Sequence, residues 1–182
     1  MQPLSEAEKI QGWMNTIELE WLREKAMQVR RGGIAVALGA WRGRSVVAMA
    51  VDHVFLMCVD HFQGSSGDPT VELAQREDIH AAFVENMDRL GIDPHLIVAD
   101  AIETAALFAD DAISFLFMDC DNADFDRLFH AWYPKIAPGG VFSGHDYSPE
   151  FPNIQNTINT SGLDHWLVGA TSIWVIYKYY WV

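Results

Sequence analysis

The residues best placed to do chemistry begin where an apolar run, Ile34 to Leu38, stops at Gly39 and a helical pattern starts at Arg44. A strand-turn-helix of this kind points the amides of the helix start at whatever ligand lies above it. The turn reads Gly39-Ala40-Trp41-Arg42-Gly43-Arg44-Ser45, with G-x-x-x-G rather than G-x-G-x-x-G spacing. Trp41 stands where a pyrophosphate needs bare backbone, which disfavours a dinucleotide. No Lys follows Gly43, so the cradle that holds nucleoside triphosphates is missing too.

A ligand with an adenosine end and no phosphate would still use a tight turn at Gly39 and an acid at the end of the next strand, for its ribose diol. Asp60 closes "FLMCVD", 21 residues after Gly39, near the roughly 20-residue offset such an acid keeps. Asp100 closes "IVAD", where an acid or its neighbouring amides reach an adenine amino group. S-adenosylmethionine (SAM) fits this description. Each residue also has a plain structural reading: the glycines as a tight turn with close helix packing, each Asp as a helix N-cap. Three strand ends that each carry a polar residue argue for the ligand.

The surrounding pattern supplies the elements that must position these groups. Apolar runs at 34–38, 54–59, 95–99, 113–118 and 140–144 alternate with helical segments near 44–51, 73–90, 101–108 and 123–135. Continuous apolar strands interleaved with helices predict a doubly wound α/β fold with a mostly parallel sheet covered on both faces. The runs "DHWLVGA" and "SIWVIYKYY" near the end are too close together for a crossover helix, so they predict an antiparallel hairpin closing one edge. Ile10, Trp13, Met14, Ile17, Trp21, Leu22 and Met27 recur at helical spacing ahead of the first strand, with a break near Gly12 and Asn15. The expectation is one domain over 1–182, a helical segment at 1–31 followed by a core at 32–182. The irregular stretches 61–72 and 145–156 each follow a strand, where open α/β sheets bind ligands.

Composition narrows the partners. With 12 Lys and Arg against 25 Asp and Glu, the net charge of −13 opposes nucleic-acid binding. No apolar run approaches the roughly 20 residues that span a bilayer, and "MQPLSEAEK" lacks the marks of a secretory signal, so a cytoplasmic protein without a membrane partner is expected. Cys58 and Cys120 read as free core thiols, and no zinc-type pair of Cys or His is present. Trp166, Trp174 and Tyr177 read as core, although a chain ending in "YKYYWV" would favour a homo-oligomer if that edge were exposed.

Taken together, "ALGAWRGRS" (37–45), "VDHFQG" (59–64), "FMDCDNADFDRLFHAWYPKIAPGGVFSGHDY" (117–147) and "TSIWVIYK" (171–178) resemble the class I SAM-dependent methyltransferases. The similarity is to the small branch with "DGDH" and "PGG…GHDY" motifs, which includes metal-assisted O-methyltransferases. It implies a Rossmann-like, seven-stranded sheet whose last strand is antiparallel. It also implies methionine and ribose contacts from Gly39, Trp41, Arg42, Gly43 and Ser45, ribose on Asp60, and adenine near His61, Asp100 and Ala101, with Asp119 at the cofactor's edge. A divalent cation, Mg or Mn, would be held by Asp119 and Asp146, with His145 where those relatives have another acid. Ala37 stands in place of the first motif's acid, and Cys120 and Asn122 in place of Gly and His.

Methyl transfer to a hydroxyl needs in-line placement and loss of a proton. Asp119, Asp121 and His145 are the catalytic candidates, each with a structural alternative as a helix cap, a solvated acid or a satisfied histidine. Trp13, Phe62, Tyr147 and Phe151 are candidates to line a partly apolar acceptor pocket. The expected activity is therefore SAM-dependent methylation, at oxygen, of a small molecule. The rival is a protein that keeps this fold for binding or scaffolding without turnover.

Overall fold

The computed structural model of the chain describes residues 1–65, 68–120 and 122–179. Its centre is a pair of parallel strands, β1 (Ile34–Leu38) and β4 (Ile113–Met118), covered on both faces, which is why "IAVAL" and, Ser114 apart, "ISFLFM" are apolar instead of alternating. Outward from β1 lie β2 (Phe55–Val59) and β3 (His95–Ile97). On the other side β5 (Ile136–Gly144) is followed by β7 (Trp174–Tyr177) and β6 (Trp166–Leu167), giving the order β3-β2-β1-β4-β5-β7-β6. β7 runs antiparallel to β6, as the short gap between the last two apolar runs requires, and it is antiparallel to β5 as well.

Register sets up the site. Leu38 pairs with Val59 on one side and Met118 on the other, and Met118 pairs with Gly144. The residues that follow these four strand ends, Gly39, Asp60, Asp119 and His145, therefore emerge side by side along one edge of the sheet.

Helices α1 (Leu4–Glu8), α2 (Thr16–Gln28), α3 (Arg44–Met49) and α5 (Ile79–Leu90) cover one face, with Leu19, Leu22, Val47, Phe83 and Phe115 in its core. On the other face α6 (Ala101–Thr104), α7 (Phe125–Trp132) and α8 (Pro152–Thr160) bury Phe129, Trp132, Ile154 and Trp174. The single helix expected over 73–90 is two, α4 (Thr70–Arg76) and α5, because Asp78 leaves helical geometry and caps the second by accepting from Ala81 N at 2.9 Å.

Two readings of the apolar pattern need correction. Trp13, Ile17 and Met27 are exposed, and the buried face of α2 carries Glu18 and Arg23 among its apolar residues. Trp166 lies exposed on the edge strand β6 against Tyr177, whereas Trp174 is core. Cys58 is a core thiol as expected, but Cys120 is half-buried at the strand ends. Residues 180–182 of "YKYYWV" lie outside the described residues.

Candidate active site

The turn after β1 is built around three left-handed residues, Gly39 (φ 82°), Trp41 (φ 47°) and Gly43 (φ 97°). A Cβ on Gly39 would overlap the backbone carbonyl of Asp119, so the two central strand ends can lie this close only with glycine there. Trp41 adopts a conformation that costs a non-glycine residue about 1–2 kcal/mol, and Asp60 holds it in place. One oxygen of Asp60 accepts from the amides of Ala40 and Trp41, both at 2.7 Å, and the other from Phe62 N at 2.6 Å. The turn is thus ordered from β2. Ala37, where the related motif has an acid, is fully buried in β1.

Above the strand ends opens a cleft of about 330 Å³. Of the predicted cofactor contacts, Gly39, Trp41, Ser45, Asp60, His61, Ala101 and Asp119 line it. Three others sit elsewhere. Arg42 turns away to pair with Glu77, and Gly43 packs beneath Met87 and Phe83. Asp100 is exposed and caps α6, accepting from Glu103 N at 2.9 Å. Trp13 and Phe151 line the cleft as candidates for the acceptor wall, with Trp13 against Trp41 at a ring separation of 5.9 Å. Phe62 is core, between His80 and Phe83, and the Tyr147 hydroxyl donates to Asn159. Asp121 lies outside the described residues.

At the cleft floor Asp119, His145 and Asp146 bring potential ligand atoms within 4.8 Å of one another. His145 lies between two carboxylates, with Nδ1 2.9 Å from Asp146 Oδ1 and Nε2 3.0 Å from Glu18 Oε1. Burial works against a charged ring, but the bonds to Asp146 and Glu18 outweigh it and raise the His145 pKa to about 11. Asp146 accepts from Asn122 Nδ2 at 2.7 Å on its other oxygen. Burial pushes the Asp146 carboxyl up, yet His145 and Asn122 hold it below its ordinary range. For Asp119 the balance reverses: burial, opposed by His145 and reinforced by Asp146, Glu18 and Asp60, raises its pKa to about 6.

Glu18 was not among the sequence candidates. Its signal was the N-x-x-E spacing from Asn15, a capping box in which Glu18 N donates to Asn15 and Asn15 N to Glu18 Oε2. The box aims the remaining carboxylate oxygen at His145. Ser172, 3.1 Å from His145 Nε2, gave no signal in the sequence because it lies in the turn before β7.

A family model described as a methyltransferase domain matches residues 36–147, which run from β1 through the cleft floor. No curated protein matches the chain. Among solved structures, the chain is similar to a Corynebacterium glutamicum protein (TM-score 0.72, 13% identity, covering 98% of this chain and 90% of that one). It is also similar to a precorrin 8W decarboxylase from Methanobacterium thermoautotrophicum (TM-score 0.67, 15% identity, 98% and 99% covered). A SAM-dependent O-methyltransferase from Thermotoga maritima is a further match (TM-score 0.67, 12% identity, 96% and 69% covered). At such identities the likeness establishes the fold, while the family match covers the turn, the acids and the floor. The chain belongs to the methyltransferase-domain family and is a class I SAM-dependent methyltransferase.

Proposed function

We propose that the cleft binds SAM over the Gly39 turn and methylates a hydroxyl oxygen of a small, partly apolar acceptor, with Asp119 as the base. The observation that carries this reading is the position of Asp119. It follows β4, lines the cleft beside the glycine turn, and has a pKa of about 6, where a general base is effective near neutral pH. SAM supplies an electrophilic methyl group on a positively charged sulfur.

The residues present suit that ligand. Gly39 lines the cleft, and the unpaired, buried Nε1 of Trp41 is a donor without a protein partner. The carboxylates of Asp60 and Asp119 with the rings of Trp13 and Trp41 favour a cation. Trp13, Met14 and Phe151 offer apolar surface to an acceptor. With SAM bound there, Asp119 would take the hydroxyl proton as the acceptor oxygen received the methyl group, the sulfur keeping the electron pair of the broken bond. Transfer to oxygen is supported by the likeness to the Thermotoga maritima O-methyltransferase.

Calorimetry with SAM and its demethylated product tests the first half of this reading. Binding in the micromolar range, about −8 kcal/mol, is expected, and a folded protein that binds neither would sink it. Turnover of a panel of phenols and aliphatic alcohols tests the second half.

A further inference from the structure

The cleft floor has the geometry of a cation site but not its chemistry. A carboxylate can only accept a hydrogen bond. His145 faces Asp146 Oδ1 from Nδ1 and Glu18 Oε1 from Nε2, so both ring nitrogens must carry hydrogens and neither keeps a lone pair for a metal. Asp146 is engaged at both oxygens, by His145 and by Asn122. The assembly is buried and braced: the Glu18 side chain is 5% exposed and that of His145 15%, while Trp174 Nε1 donates to the His145 carbonyl at 3.2 Å. Two of the three side chains that could share a metal are therefore already committed to each other.

We infer that the His145 imidazolium, clamped by Glu18 from the N-terminal helix α2, is the resident positive charge of the cleft floor, and that the site binds and methylates its acceptor without a divalent metal. Glu18 is then a positioning residue, which acts by fixing the ring. Its second oxygen is held by Asn15 N at 2.8 Å, so the clamp is rigid from the backbone outward. The charge itself does not depend on the activity proposed above; its use in catalysis rests on that reading.

The test is Mn titration of the full chain at neutral pH, followed by calorimetry and by the paramagnetic resonance of free Mn, with and without the demethylated cofactor. No binding tighter than about 1 mM is expected, and the 15N spectrum should show both His145 ring nitrogens protonated. His145→Asp, which returns a third carboxylate, should gain Mn binding. In Glu18→Gln, melting at neutral pH should fall because the bond to His145 is weakened, while SAM affinity of the folded protein changes little and kcat falls by about 10²-fold, with the second ring proton lost from the spectrum. Wild-type binding of Mn in the micromolar range that Asp119→Ala or Asp146→Ala abolishes would overturn the inference. So would turnover that stops on chelation and returns with Mg. Failure to bind SAM would strike the proposed function alone, since the Mn titration and the ring spectrum decide the metal question without turnover.

Discussion

Two residues carry the consequences that a single substitution can test. Gly39 lets β1 and β4 end against each other, and Gly39→Ala would put a methyl into the Asp119 carbonyl. The expected result is loss of SAM binding by calorimetry together with a lower Tm. Asp119 sits in a ring of like charge. Asp119→Asn should cut kcat about 10²- to 10⁴-fold and raise Tm, because a neutral amide avoids the cost of burying a charge, to which the neighbouring carboxylates add. A base works ionised, so wild-type kcat/KM should climb as pH rises through about 6, and the variant should lose that limb. A flat wild-type profile would remove Asp119 from the role. Both residues were legible in the sequence, Gly39 as the end of an apolar run and Asp119 through the methyltransferase-like motif that sets it after one. Asp100 has the same local signal, yet in the fold it only caps a helix. An acid after a strand reads the same whether its side chain turns to the cleft or back to its own helix.

Among the elements, α2 was the hardest to read, since its buried face mixes Leu19, Leu22 and Ala26 with Glu18 and Arg23. Hydropathy places such charges outside, and only their partners explain them. Arg23 donates to the carbonyls of Val47 and Ala48 at the end of α3 and to that of Gln2. Arg23→Leu would leave the two buried carbonyls of Val47 and Ala48 short of a donor and should cost about 1–3 kcal/mol, read as a lower urea midpoint with an unchanged m-value. Asn15→Ala removes the N-cap of the same helix, an effect of about 1 kcal/mol. It leaves in place the backbone amide that holds Glu18 Oε2, so turnover should fall no more than the loss of stability predicts. The sheet was easier. Central strands buried on both faces announce themselves as unbroken apolar runs, and the lack of room for a crossover fixed the direction of β7. Where the reading slipped, at 73–90 and at Trp166, one polar cap and one sheet edge decided the outcome, and neither changes hydrophobic periodicity.

For the whole molecule, charge links stability to pH. Burial raises the Glu18 carboxyl, but His145 and Asn15 outweigh it and hold the group below its ordinary 4.5, as His145 and Asn122 hold Asp146 below 3.8. Depressed carboxyls contribute stability above their unfolded pKa values and lose it as pH falls through the folded ones. The urea midpoint should therefore drop below about pH 4.5, and Glu18→Gln should show a shallower acid limb. A sequence pI of about 4.7 places the solubility minimum in the same range. The bond between Glu18 and His145 has one more consequence, in time. It joins positions 127 apart. At a synthesis rate of roughly 5–20 residues per second, the two emerge from the ribosome about 6–25 s apart. Over that interval α2 carries a capped carboxylate with no cation to receive it, and the floor of the cleft does not yet exist. Helix α2 is thus made long before its carboxylate finds a partner, and the nascent chain gains the floor of its cleft only when His145 arrives after β5.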